Sequence, residues 1–292
     1  MSRVNRLLYF VRWQLYPVCR SIPGHVAFIA RGFRPRVRCG LVARLRLAWH
    51  SLWIHLRVRC AHYPLELLLI MEEIAELPDD GVGIVVECGA FLGGSSAKLT
   101  HAAFHSRRTL VVCDSFEGLP EVATDDHVEG KPDFHHGQYA GRLALVSRNV
   151  ERFGAEGVPV EYVPGWFNVS LSALRGRPIA CAFWDVDLQE SFRDCLRGLW
   201  RDVVPQAKVF IHDIGRDPVA DVFRDRAWWE RELHEAAPPL IGARNGRRSG
   251  LARAAPNVGY ARKLGTEPLP AGAAAPVGTL VTPPPPAPRS YA

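Results

Sequence analysis

The chain has 292 residues, a hydrophobic content of 48% and a formal net charge of +6. This length can fill one α/β core and leaves material for additional segments. No uninterrupted apolar run reaches the roughly 18 residues that a membrane-spanning helix needs. The seven cysteines include no C-x-x-C pair, which argues against a thiolate zinc site. Because three of them lie in apolar, strand-like runs, they favour a reducing, cytoplasmic compartment.

The N-terminal segment, residues 1–62, is a basic arm rich in aromatic residues. Residues 1–65 contain twelve arginines and no acid, whereas the rest of the chain carries the other 24 basic residues and all 30 acids. This contrast predicts a boundary near residue 62. The arm can pack on its own core or on a second subunit of a homo-oligomer, or lie on an anionic membrane at the inner surface. Two further alternatives are that the arm is a transit peptide or that it binds the phosphates of a nucleic acid. No recognisable module indicates a nucleic-acid partner.

Helix and strand patterns alternate over the predicted domain, residues 63–264. A helical pattern comes first, at residues 63–77. Predicted strands begin near residues 84 and 110 and continue at 160–163, 179–186, 208–212 and 258–262, with predicted helices at 94–104, 139–153, 189–203 and 221–235. This order predicts an α/β fold with a doubly wound, mostly parallel sheet. The proline- and alanine-rich residues 265–292 predict a disordered tail.

A glycine turn follows the first predicted strand. Glu87 and Gly89 precede Gly93, and Ser95 can begin a helix whose N-terminus faces a ligand. Asp114 ends the next strand, where a carboxylate can bind ribose hydroxyls. The turn lacks the G-x-G-x-x-G of nicotinamide enzymes, and the acid within it would repel a pyrophosphate. Charge therefore favours S-adenosylmethionine, which carries a sulfonium and an ammonium group.

Two later strands also end in polar residues. Asp185 and Asp187 come at the end of the apolar run 180–184, and His212 and Asp213 come at the end of the run 209–211. Because parallel strands end at one edge of a sheet, we expect these side chains to converge near the cofactor. Carboxylates at this density suit magnesium or calcium, and the histidine widens the choice to manganese. For Asp187 alone, capping of the following helix is the alternative.

Several short sequence motifs carry a family resemblance. They are V-E-C-G at 86–89, D-S-F-E-G-L-P at 114–120, G-W-F at 165–167, D-V-D-L at 185–188 and I-H-D at 211–213. In this order the chain resembles the macrocin O-methyltransferase family, which methylates sugar hydroxyls in macrolide and aminocoumarin pathways. The resemblance spans residues 63–262 and implies a class I methyltransferase fold of the Rossmann-like type.

The resemblance also implies roles for individual residues. Those expected to bind S-adenosylmethionine are Glu87, Gly89, Gly93, Ser95, Asp114, Ser115, Gly165, Trp166 and Asp185. A magnesium ion is expected on Asp185 and Asp213, with His212 beside them. Relatives often have two adjacent acids where this chain has His212-Asp213, so the chain departs from the family pattern at the expected metal site.

Methyl transfer to a sugar needs an aligned hydroxyl and a group that accepts its proton. Asp187, His212 and His135 are the candidates for that base. The expected acceptor is a sugar on a small molecule or a glycolipid. A non-catalytic, methyltransferase-like binding module and a nicotinamide-dependent oxidoreductase are the alternatives.

Overall fold

The structure is a computed structural model that describes residues 3–33, 38–123, 126–128, 131–132, 134–242 and 257–265. The predicted tail lies outside these residues except for Gly265. Within them, no helix combines the length and the apolar character needed to cross a membrane.

The N-terminal arm is helical. Helix α1 (Arg3–Phe10), a π-helical turn (Val11–Leu15) and α2 (Tyr16–Arg31) follow one another without a break, and α3 (Leu41–His55) comes next. Helix α4 (Pro64–Ala75) begins with a capping box, in which the Glu66 carboxylate accepts a hydrogen bond from the Tyr63 backbone N–H at 2.8 Å. Phe28, Leu47 and Ile54 are fully buried in one core with α4. The described arm therefore packs on its own core, as one of the predicted alternatives had it.

The other elements build the sheet and its covering helices. The strands are β1 (Ile84–Cys88), β2 (Leu110–Asp114), β3 (His127–Val128), β4 (Lys131–Pro132), β5 (Val160–Pro164), β6 (Ile179–Trp184), β7 (Val203–Ile211) and β8 (Gly259–Arg262). The helices are α5 (Gly94–Ser106), α6 (Leu143–Phe153), α7 (Phe167–Ser170), α8 (Gln189–Leu199), α9 (Asp217–Arg224) and α10 (Arg226–Leu233), with 3₁₀ turns at Leu171–Leu174 and Trp200–Asp202.

Six of these strands form one sheet in the order β5-β2-β1-β6-β7-β8. Neighbours are parallel except for β8, which runs antiparallel to β7. The predicted doubly wound, mostly parallel sheet is confirmed. The chain moves outward from β1 through β2 to β5 and then returns to β6, so the order reverses between β1 and β6. Ligands of such sheets bind beyond the carboxyl ends of the strands at this point.

Both faces of the sheet are covered, which explains the unbroken apolar runs of the inner strands. The arm, α4 and α5 supply one core, and α8, α9 and α10 supply the other. The single helix predicted at residues 221–235 is wrong, because the structure has two helices there. Asp225 ends α9, and its carboxylate caps α10 by accepting a hydrogen bond from the Trp228 N–H at 3.0 Å.

Candidate active site

A cavity of about 270 Å³ opens at the carboxyl ends of β1, β2, β6 and β7. Ten of the thirteen residues predicted for the site line it. They are Gly89, Ser95, Asp114, Ser115, Gly165, Trp166, Asp185, Asp187, His212 and Asp213. The topology thus brings together residues that are up to 124 positions apart in the sequence.

Gly89 brings the ends of β1 and β6 into contact. Its φ is +91°, and a Cβ at this position would lie 1.9 Å from the carbonyl oxygen of Asp185. Its N–H donates to the Cys113 carbonyl at 3.0 Å, and the Asp185 N–H donates to the Cys88 carbonyl at 2.9 Å. Only glycine fits here, because both the backbone conformation and the close approach exclude a side chain.

Asp114 fixes the turns around it. One carboxylate oxygen accepts from the Ala90 N–H at 2.6 Å, and the other accepts from the Phe116 N–H at 2.7 Å. Burial raises the pKa of Asp114, and these backbone donors oppose that rise. The carboxylate is therefore held in place at the cavity wall before any ligand arrives.

A hydrogen bond within the loop after β2 holds that loop in a tight turn. The Ser115 hydroxyl donates to the Gly118 carbonyl at 2.8 Å. Gly118 has a φ of +92°, and a Cβ there would lie 2.6 Å from the Gly137 carbonyl oxygen. On the neighbouring strand, the Gly165 N–H donates to the Asp114 carbonyl at 2.9 Å and presents Trp166 at the cavity.

Three predicted residues lie outside the cavity lining. Glu87 is fully buried in β1, where neither carboxylate oxygen has a hydrogen-bond partner among the described residues. Burial raises its pKa to about 7, although the nearby Ser95 and Ser96 hydroxyls oppose the rise. Gly93 turns the chain into α5 with a φ of +78°. His135 is exposed.

Asp185 is the centre of a mixed cluster of acids and imidazoles. One carboxylate oxygen lies 2.7 Å from His62 Nε2, and the other lies 3.0 Å from His212 Nδ1. The same His212 nitrogen lies 3.1 Å from Asp213 Oδ1. Burial alone would raise the pKa of Asp185, but the His212 and His62 charges outweigh it and lower the pKa. His62 was missed by the sequence reasoning, because it lies in the arm and no motif surrounds it.

Asp187 stands at the cavity with a left-handed backbone, φ +57°. Its carbonyl accepts from Arg216 Nη1 at 3.0 Å. The capping alternative is wrong, since Leu188 is the N-cap residue of α8 and no side-chain hydrogen bond caps the helix there. The Gln189 N–H donates to Asp126. Burial, reinforced by the charges of Asp185 and Asp213, raises the pKa of Asp187 well above the usual range.

The arm contributes five residues to the cavity, which are Trp13, Arg59, Cys60, Ala61 and His62. The Arg59 guanidinium lies 5.0 to 5.6 Å from the ring centres of Tyr9, Trp13 and Phe91, so it connects the first helix to the loop after β1. Cys60 Sγ lies 3.3 Å from His62 Nδ1 and fixes the orientation of that ring.

Comparison with known proteins identifies the family. Residues 67–236, more than half of the chain, match the family described as Macrocin-O-methyltransferase (TylF). The chain belongs to the macrocin O-methyltransferase family. This membership agrees with the resemblance read from the sequence words and speaks against the nicotinamide alternative.

Two curated proteins that are named as O-methyltransferases are similar to part of the chain. The 8-demethyl-8-(2,3-dimethoxy-alpha-L-rhamnosyl)-tetracenomycin-C 4'-O-methyltransferase of Streptomyces olivaceus is 37% identical over 153 residues, which cover 50% of this chain and 59% of the relative. The Mycinamicin III 3''-O-methyltransferase of Micromonospora griseorubida is 32% identical over 143 residues, covering 46% and 56%. The chain thus spans less than two thirds of either relative.

Solved structures share the fold of this family member. The O-methyltransferase NovP matches with a TM-score of 0.55 at 21% identity, over 86% of this chain and 98% of that one. The calicheamicin methyltransferase CalS11 matches with a TM-score of 0.52 at 18% identity, over 85% and 91%. At these identities the likeness establishes the α/β methyltransferase fold.

Proposed function

We propose that the protein is an S-adenosylmethionine-dependent O-methyltransferase that acts on a sugar hydroxyl of a glycosylated small molecule. The observation that carries this proposal is the convergence of the Gly89 turn, Asp114 and three further acids on one cavity. Relatives named as methyltransferases of a rhamnosyl-tetracenomycin and of a mycinamicin support a sugar acceptor.

The lining of the cavity suits the cofactor in charge. Gly89 lines the cavity where the ends of β1 and β6 meet, and Asp114 stands at the tip of β2. These two residues, with Trp166 beside them, would hold the nucleoside end. The acidic lining suits a cationic ligand. When bound, S-adenosylmethionine supplies a methyl group on a positive sulfur.

The base that we propose is Asp187. Its carboxylate lines the cavity, and contacts or position make the other two candidates less suitable. His212 Nδ1 already faces Asp185 and Asp213, and His135 lies outside the lining. Arg216 and the left-handed backbone fix the main chain at Asp187. Its carboxylate would accept the proton that a sugar hydroxyl placed beside it gives up on taking the methyl group, with S-adenosylhomocysteine as the leaving group.

Magnesium fits the residues around Asp185 poorly. Mg²⁺ prefers an octahedral shell of oxygen atoms, whereas two imidazoles lie directly against this carboxylate. The ligand atoms of His62, Asp185 and His212 lie within 4.8 Å of one another, a combination that manganese, iron, cobalt or zinc accepts more readily. The proton transfer proposed above uses no magnesium.

The test separates cofactor binding from transfer. Calorimetry with S-adenosylhomocysteine measures binding, and mass spectrometry with a panel of deoxysugar glycosides measures methylation. We expect Asp187→Asn to bind the cofactor product as wild type does and to lose at least about a hundredfold in transfer rate. The exposed Asp79→Asn is the control. Failure of the wild type to bind would refute the proposal, and binding without transfer to any sugar would favour the non-catalytic module.

A further inference from the structure

The first helix carries an exposed apolar stripe. Leu7, Val11, Leu15, Ile22 and Val26 follow one another at intervals of four or seven residues along the continuous helix from α1 to α2. Each of these side chains is exposed, with Leu7 at 63% and Val26 at 60%. Such spacing places the five side chains on one face of the helix.

Helix α3 carries a second exposed apolar stripe. Leu41, Leu45 and Trp49 recur every four residues and are exposed, with Trp49 at 60%. Helices α2 and α3 pack together through their buried sides, where His25 Nε2 of α2 lies 3.2 Å from the Ser51 hydroxyl of α3. Exposed apolar stripes on two neighbouring helices are more than the scattered exposed residues of an ordinary surface.

The surroundings of these stripes are strongly basic. Arg12, Arg20 and Arg46 are exposed on the same helices, and no acid occurs in the first 65 residues. A second copy of the chain would bring one arginine-rich arm against another, which like-charge repulsion disfavours. An anionic bilayer offers both an apolar interior for the stripes and negative headgroups for the arginines.

We propose that the apolar stripes of α1, α2 and α3, together with these arginines, dock the protein on an anionic lipid surface. The helices lie in the interfacial plane and do not cross the bilayer. Trp13 lines the cavity wall, and it lies on the opposite side of this helix from the stripe, because it is two positions away from both Val11 and Leu15. The docking face and the cavity are therefore on different sides of this helix.

Co-sedimentation of the full chain with vesicles tests the docking face. Vesicles of phosphatidylcholine with phosphatidylserine are compared with vesicles of phosphatidylcholine alone, at low and at high salt. We expect binding only to the anionic vesicles, weakened by salt. The double variant Val11→Glu, Val26→Glu lowers this binding by roughly tenfold or more. The matched control is Val82→Glu, Leu145→Glu, which alters two exposed apolar residues elsewhere and leaves binding unchanged.

Three results would overturn the proposal. The first is that the wild type does not sediment with anionic vesicles at low salt, and the second is that both double variants bind as the wild type does. The third is that the protein forms a concentration-dependent dimer without lipid, which only Val11→Glu, Val26→Glu abolishes. A second copy of the chain would then cover the face. Circular dichroism shows whether each variant is folded. Since vesicle binding is measured without cofactor or acceptor, its failure leaves the proposed methyl transfer untouched.

Discussion

His62 and Asp185 join the arm to the sheet through a contact of 2.7 Å between Nε2 and Oδ2. The histidine precedes the segment that matches the family, and the aspartate lies well inside it. The edge of the His62 ring also packs on Phe183, whose strand ends at this aspartate. A residue of the arm is therefore part of the mixed cluster of acids and imidazoles around Asp185.

This contact predicts a metal preference. Because two imidazoles flank Asp185, we expect the protein to bind Co²⁺, Mn²⁺ or Zn²⁺ more tightly than Mg²⁺. His62→Ala should weaken Co²⁺ binding by about 10- to 100-fold. The visible absorption of bound Co²⁺ reports the change independently of activity. His234→Asn, at an exposed left-handed position, is the control. Equal affinity of both variants would remove His62 from the ligand set.

Gly89→Ala should abolish binding of S-adenosylhomocysteine and lower stability by several kcal/mol. The added Cβ would overlap the Asp185 carbonyl oxygen and would also require an unfavourable φ. Gly157→Ala separates these two effects, because Gly157 has a φ of +79° and open space around it. That control should cost only about 1 kcal/mol. Thermal unfolding and calorimetry measure both quantities, and similar losses in the two variants would contradict the close-approach explanation.

Asp114→Ala should weaken the binding of S-adenosylhomocysteine by about 1–3 kcal/mol. The reason is the loss of a buried, charge-bearing acceptor at the cavity wall. Calorimetry gives the change in affinity. Asp221→Ala, which removes an exposed carboxylate from α9, should bind as the wild type does. An unchanged affinity in the first variant would rule out the ribose assignment.

Glu87 should make the stability of the ligand-free protein depend on pH. Burial raises its pKa to about 7 in the folded chain, above the ordinary value of 4.5. As pH rises from about 4.5 to 7, the unfolded chain loses this proton first, so the free energy of unfolding falls, by up to about 3 kcal/mol. Glu87→Gln should remove this fall. Urea unfolding from pH 5 to about 8 compares the two proteins; parallel pH profiles would contradict the shifted pKa.

The sheet was predictable because its inner strands are covered on both faces and read as unbroken apolar runs. The acids at their tips were predictable for the same reason, since strand order fixes where Asp114, Asp185 and Asp213 stand. The break at Asp225 was not, because apolar periodicity continues across it while a single side chain caps the new helix. His62 could not be found either. The contrast in charge made the boundary of the arm predictable. The packing of the arm was not predictable, because it depends on Phe28 and other buried residues that are spread among the arginines.

The Arg59 guanidinium lies against three aromatic rings, one of which, Phe91, belongs to the glycine turn after β1. The wall of the cavity is consequently a composite of a segment inside the family match and one before it. Under the proposed function, we therefore expect exchange of the arm alone to change acceptor preference, while the turn proposed to hold the cofactor stays the same. Chimaeras that carry the arm of another family member on this sheet should keep their affinity for the cofactor and change the sugar that they accept.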